Sequence, residues 1–406
     1  MEGVRVLDLT RFYSGPFATL LLAGYGAEVI RIDRPGQGEP AMSGPPFFGE
    51  DGASLERRHG SDLGLAYLKR CRGKRSITLD FERPDGMQLF RELLRTADVL
   101  VENFRPGVTE KLGIDYASNA KVNPRVVHCA ITGYGSTGPD RGLKAYDLMI
   151  QADAGLMSIT GNPDGPPRKA GSALADGISG AFAVSGILAA VIEQKRSGEG
   201  QFVDVAMADC LVSLVLDEPL DCYPQFDLAP RQGNRIMRFS PFDTFPTRDG
   251  DVAIGVATER EWRALLAAMG RSDLTADERF MNTGWRVVHN DEVNAVVEAW
   301  TRGQTTLAIL DALRVQDVPA SPIRTIDDLM RWEHLGERGM IVDVVHPTVS
   351  SAHRAVAAGF PVKLSRTPGM YSGAAPVLGQ DNDDVYGRHL HIDEAARERL
   401  SANGVI

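Results

Sequence analysis

The sequence predicts an α/β protein, and three observations carry that prediction. Short, almost uninterrupted apolar runs, VRVLDL (residues 4–9), AEVIRI (27–32), ADVLVENF (97–104) and RVVHCAI (125–131), read as strands buried on both faces. Stretches of helical period, among them residues 15–24 and 84–94, alternate with these strands. A chain of 406 residues with 43% apolar side chains is long enough for a sizeable core and for two or three domains.

The first strand, the helix behind Gly15-Pro16 and the second strand make a βαβ unit. Such a unit puts the turn at residues 10–14 and the end of the second strand, Asp33-Arg34-Pro35-Gly36, on one carboxyl edge, where ligands usually sit. That turn has no GxGxxG. Arg34 beside Asp33 suits a phosphate better than a ribose hydroxyl, though a plain surface ion pair explains it as well. Residues 40–72 read as loop. GKRSITLDF (73–81) is a basic turn entering a strand, the amphipathic helix at 84–94 follows, and the strand at 97–104 leads into Arg105-Pro106-Gly107 and a short helix with Lys111.

After Asn123-Pro124 the strand at 125–131 opens into GYGSTGP (133–139), whose Gly133, Gly135 and Gly138 fit GxGxxG. Pro139-Asp140-Arg141-Gly142 follow at once, so no helix begins there to receive a pyrophosphate, and the match is expected to be false. A helix broken at Gly155 spans 143–161, and the turn NPDGPP (162–167) delivers the chain to Asp176. From Gly177 a helix with Ile178, Phe182, Ile187, Leu188 and Val191 as its apolar face runs to Lys195 and Arg196, stopping at Gly198. Asp176 in front of it reads as an N-cap. A strand and helix fill 202–215, and 223–238 is a proline- and glycine-marked linker. A hairpin over 240–256 turns at Asp249-Gly250, helical text runs from 258 to about 315, and loops and short strands precede a terminal helix.

A formal charge of −10 argues against nucleic acid as partner, so any anionic ligand needs locally placed cations. The four cysteines form no CxxC pair and read as reduced thiols, suggesting neither zinc nor disulfides. No signal peptide precedes the first strand and no apolar run reaches membrane-spanning length, so the expected place is the cytoplasm, with no membrane partner.

The ordered landmarks VLDLT, IDRPG, GKRSITLD, VENFRPG, NPRVV, GYG with its following GP, KAYDLMIQADAGLM, GNPDGPP, Asp176, SGEGQFVDVAM, PVKLSRTP and APVLGQ resemble the class III coenzyme A transferases. That family includes the formyl-CoA:oxalate and carnitine CoA-transferases and, more distantly, α-methylacyl-CoA racemase. The resemblance implies a Rossmann-like large domain from both chain ends (1–222 and 326–406), a smaller α+β domain (223–325) and an interlocked homodimer. It puts the catalytic aspartate at Asp176 and coenzyme A contacts at Tyr13, Ser14, Arg34, Leu79, Asp80, Asn103, Phe104, Arg105, Lys111, Leu143, Lys144, Ala145 and Tyr146. Asp147 is a second candidate acid. The substrates would be an acyl-CoA and a free carboxylic acid, with no metal and no nicotinamide. Arg34, Arg105, Lys111 and Lys144 on one sheet edge would offset the chain's own negative charge.

Tyr13 replaces the glutamine of the formyl enzyme, and that enzyme's glycine-rich small-domain loop has no counterpart near Asn234, so oxalate is a poor expected acceptor. Any of Arg231, Arg235 or Arg238 could clamp the distal carboxylate of a dicarboxylyl donor such as succinyl-CoA. Racemisation on the same fold needs a base on each face of the substrate, and here Tyr146, not histidine, precedes Asp147. Phenols ionise near pH 10, which disfavours that alternative. A non-catalytic acyl-CoA-binding protein is the third reading, and the presence of Asp176 speaks against it.

Overall fold

A computed structural model describes residues 1–349 and 352–406. By packing they form two units, one of Met1–Leu156, Lys169–Glu218 and Glu333–Ile406, the other of Met157–Arg168 and Pro219–Trp332.

The first unit is built on a sheet of β1 (Arg5–Asp8), β2 (Glu28–Asp33), β3 (Arg75–Thr78), β4 (Val99–Glu102), β5 (Val127–Thr132) and β6 (Phe202–Ala206). The order is β3-β2-β1-β4-β5-β6 and every pairing is parallel. Strand order therefore reverses between β1 and β4, and the crevice outside their carboxyl ends is where doubly wound sheets take ligands. Alternate residues feed opposite cores. Val6, Val29, Val99, Val101 and Val127 face one, and Leu7, Ile30 and Leu100 the other. This two-sided burial is why the strand text is apolar at nearly every position. Helix Pro84–Arg95 closes the second core with Leu89, Phe90, Leu93 and Leu94, and the chain's last residues complete it. The Asp80 N–H donates to the Val405 carbonyl at 2.9 Å, and the Tyr386 hydroxyl donates to the Thr78 carbonyl at 2.7 Å.

The first core is closed by helices Ser14–Gly24 and Leu174–Ser197. They cross where a side chain is missing, since a β-carbon at Gly180 would stand 2.8 Å from the Ser14 carbonyl and 3.0 Å from the Phe17 ring. Three expectations about the longer helix need correction. It begins at Leu174, with Ala173 as a cap residue that makes no side-chain bond, so Asp176 lies inside the first turn and is not the N-cap. Phe182 is exposed, because the buried face is Ser179, Gly180, Ala183, Val184, Ile187, Ala190 and Val191. At 24 residues it is also long and apolar enough, by length and composition alone, to span a membrane, contrary to the sequence reading. Here it packs against helices Ser14–Gly24 and Met207–Val215 and strands β5 and β6 as a core element.

Residues 40–72 are not plain loop. Strands Phe47–Gly49, Gly52–Ser54 and Leu63–Gly64 form a small sheet, followed by helix Leu65–Arg70. Strands of two and three residues are too short to show a period, which is why the text hid them. After the glycines of 133–139 the next helix starts only at Asp147, so no helix N-terminus receives a phosphate there. All four cysteines are free thiols.

The second unit pairs Phe242–Pro246, Asp251–Gly255 and Ala320–Pro322 in an antiparallel sheet. Helices Glu259–Ala268, Asn290–Thr301 and Thr306–Val315 bury Trp262, Leu265, Val297 and Leu313 in its core. Residues 157–168 join this unit because the Arg231 guanidinium donates to the carbonyls of Ser158, Asn162 and Gly165. Arg235 is ion-paired with Asp243 and Asp291 at 3.0 and 2.7 Å, and Arg238 lies over the Phe239 ring. Arg231 and Arg235 are thus committed within their own unit and are poor clamps for a ligand.

Candidate active site

At the reversal of strand order the turn after β1 is fixed from below. Asp8, fully buried at the strand end, accepts from the Thr10 N–H at 2.9 Å, the Thr19 hydroxyl at 2.7 Å and Lys74 Nζ at 3.0 Å. Lys74 and Arg31 hold its carboxyl below the usual range against the opposing effect of burial. From the side, Asn103 clips this turn to the one after β4. Its Oδ1 accepts from the Arg11 N–H and its Nδ2 donates to the Arg11 carbonyl, both at 2.8 Å. Phe12 takes the left-handed backbone, φ 66°, with its N–H on Glu39 and its carbonyl on Arg70. The helix begins two residues later at Ser14.

Two adjoining cavities open over these turns and share Phe12, Asn103, Phe104 and Arg105. The outer one, about 430 Å³, is walled by Arg34, Leu79, Asp80 and Val108. The inner one, about 180 Å³, is walled by Tyr13, Ser14, Leu143, Lys144, Ala145 and Tyr146 and reaches Asp176. Twelve of the thirteen binding positions named from the sequence line one cavity or the other. Lys111 does not, although Val108 and Leu112 on either side of it do. Among the described residues the side chains of Arg105, Lys111 and Lys144 have no hydrogen-bond or ion-pair partner, whereas Arg34 is shared by Glu82 at 3.1 Å and Asp80 at 3.7 Å. An anionic ligand would find Arg105 and Lys144 free and would have to compete for Arg34.

Asp147 lines neither cavity. It starts helix Asp147–Asp153 and caps the Leu174–Ser197 helix from outside, its Oδ1 accepting from the Ala175 N–H at 2.9 Å and, more weakly, from that of Asp176 at 3.5 Å. Its Oδ2 accepts from Gln151 Nε2 at 2.7 Å. The capping duty that the sequence assigned to Asp176 belongs to Asp147, which leaves the Asp176 carboxylate free to face the cavity. Burial pushes the Asp176 carboxyl up to about 6, with the Asp147 charge adding to the rise and Arg70 and the Ser14 N–H and hydroxyl opposing it. At pH 7 the group is mostly ionised and at the basic end of carboxylate behaviour.

Asp147→Asn keeps the capping oxygen and removes the charge, so the Asp176 carboxyl should ionise at lower pH. The midpoint of its titration, expected near pH 6 in the parent, should then move down, because the Asp147 charge is one cause of the rise. A carbon-13 NMR titration of the Asp176 carboxyl with an unmoved midpoint would show that Asp147 does not set it.

The family model for CoA-transferase family III matches residues 1–382. This chain is a family III CoA-transferase. It is 36% identical over 400 residues to a succinate–glutarate CoA-transferase of Agrobacterium fabrum, covering 98% of this chain and 97% of that one. It is 35% identical to a succinyl-CoA:mesaconate CoA-transferase of Haloarcula hispanica, covering 97% and 96% of the two chains. A crystal structure of a CAIB/BAIF family protein from Brucella suis superposes with a TM-score of 0.80 at 31% identity over 96% of this chain and 98% of that one.

The sequence reading missed residues at or beside these cavities. Arg11 and Phe12 line the outer cavity from within the turn it had singled out, Arg11 over the Phe104 ring at 5.4 Å and Phe12 edge-on to Tyr146 at 6.4 Å. Arg70, whose guanidinium lies 3.9 Å from the centre of the Tyr13 ring, carried no signal, because it ends a stretch that reads as loop.

Proposed function

We propose that this CoA-transferase moves coenzyme A between dicarboxylic acids through covalent intermediates on Asp176. The Asp176 carboxylate attacks the thioester carbonyl of the donor, giving a mixed anhydride and CoA thiolate. The thiolate attacks the aspartyl carbonyl, releasing the donor acid and leaving an aspartyl-CoA thioester. The acceptor carboxylate attacks that thioester, and the returning thiolate collapses the second anhydride to product and free Asp176. No external base is needed.

The observation that carries this reading is a partly desolvated carboxylate, with its own helix capped by another residue, at the inner end of a cleft that also offers Arg105 and Lys144. Succinyl-CoA as donor and a five-carbon dicarboxylate such as glutarate or mesaconate as acceptor follow from the names of the relatives. The cationic cleft suits coenzyme A phosphates. An interlocked pair of chains is also part of the proposal, supported by the exposed apolar stripe of Ala181, Phe182, Ala189 and Ile192 along the central helix.

Incubation with succinyl-CoA and hydroxylamine should inactivate the enzyme with a hydroxamate on the peptide carrying Asp176, and succinyl-CoA should do so faster than acetyl-CoA. An active enzyme whose Asp176 peptide stays unmodified would refute the covalent route, and equal rates with both thioesters would refute the dicarboxylyl preference.

A further inference from the structure

Tyr13 stands beside Asp176 in the inner cavity, its ring held by two neighbours. The Arg70 guanidinium lies 3.9 Å from the ring centre on one side, itself fixed by donating to the Phe12 carbonyl at 2.8 Å. Phe17 meets the ring edge-on, with centroids 5.8 Å apart at 73°. The hydroxyl end is carried to the first turn of the central helix, where a β-carbon at Gly177 would be 3.6 Å from the phenol oxygen. The chain thus clamps an aromatic ring so that its polar tip projects next to the nucleophile.

That tip is unused by the protein. Among the described residues the Tyr13 hydroxyl has no hydrogen-bond partner, and it interacts with Asp176 and Asp147 only through their charge. A phenol bonded to Asp176 would weaken the nucleophile. One held beside it and left unpaired is free to bond to whatever Asp176 attacks.

We infer that the Tyr13 hydroxyl donates to the oxyanion formed when Asp176 attacks the thioester, making Tyr13 a catalytic residue and Arg70 the residue that positions it. In that step the Asp176 oxygen forms a bond to the carbonyl carbon, and the carbonyl π pair moves onto its oxygen, which accepts from the Tyr13 O–H. Collapse restores the carbonyl, breaks the carbon–sulfur bond and releases CoA thiolate. Tyr13 keeps its proton throughout. Burial and the Asp176 and Asp147 charges raise the phenol's pKa, outweighing Arg70, so it remains an O–H donor across the working pH range. A cation against the ring face also draws electron density from the phenol and strengthens the donated bond.

This inference rests on the covalent route proposed above, and the experiment separates the two. Tyr13→Phe keeps the ring, its clamp and the fold and removes the donor. With succinyl-CoA and glutarate, kcat should fall about 10²- to 10³-fold, as for loss of one oxyanion donor. KM for succinyl-CoA should stay within about twofold, because the bond forms only in the transition state. Hydroxylamine trapping at Asp176 should slow by the same factor as kcat. If the parent enzyme is trapped at Asp176 while Tyr13→Phe keeps its kcat, or loses activity only through KM, the role of Tyr13 is refuted and the covalent route stands. If the parent is not trapped at all, both fall.

Discussion

Asp176→Ala is expected to abolish transfer, with kcat down about 10⁴-fold or more, since among the described residues Asp176 is the one carboxylate that lines the inner cavity. Coenzyme A should still bind, as read by calorimetry, because Asp176 does not line the outer cavity that carries Arg34 and Arg105. Asp176→Asn should in addition make the protein more stable at neutral pH. The folded-state pKa of about 6 lies above the usual 3.8, so the folded chain holds a proton more tightly than the unfolded one between those values. Stability contributed by this group is therefore present below pH 4 and lost as pH rises through 6. At pH 7 the charged carboxylate costs about 1–3 kcal/mol, which the amide does not, and the gain should vanish below about pH 4. Chemical denaturation of both proteins at pH 7.5 and pH 4 would check this, and an amide variant no more stable at pH 7.5 would contradict the burial argument.

Lys74→Met should be among the most damaging single changes in the first unit. The ammonium has no exposed surface and donates to Asp8 at 3.0 Å, the Pro16 carbonyl at 3.0 Å and the Thr19 hydroxyl at 2.7 Å. Removing it leaves Asp8 buried with Arg31 4.0 Å away as the remaining cation. A loss of about 3–5 kcal/mol is expected, as for breaking a buried pair from one side. The double change Asp8→Asn, Lys74→Met should recover much of it. Denaturation curves showing the single variant within about 1 kcal/mol of the parent would mean that Arg31 and the threonine hydroxyls suffice.

Such pairs mark where the sequence stops being readable. Strands β1, β2, β4 and β5 could be placed because each is buried on both faces, and that condition writes itself as a continuous apolar run. The edge of the cavity followed from those placements, since the ends of β1 and β4 must lie side by side. Lys74 read only as part of a basic turn, because burial of a charge depends on a partner 66 positions away. Asp176 resembled a cap for a local reason, an acid ahead of a helical stretch, while the residue that does the capping, Asp147, comes 28 positions before the N–H it receives. Arg70 was invisible because its helix follows strands of only two and three residues. For Lys74 and Asp176 what failed was a contact between groups distant in the chain, which no local pattern encodes.

The Asn103 clip has a mechanical consequence. Two hydrogen bonds in opposite senses between one side-chain amide and the Arg11 backbone join the turns after β1 and β4 into a single body. Neither can swing without the other, so the crevice cannot widen along that seam. On the opposite side Ser136 is still held by Asp204, but among the described residues 137–146 no side chain makes a hydrogen bond, and no helix begins before Asp147. A long ligand entering the crevice should therefore displace that wall and leave the seam in place.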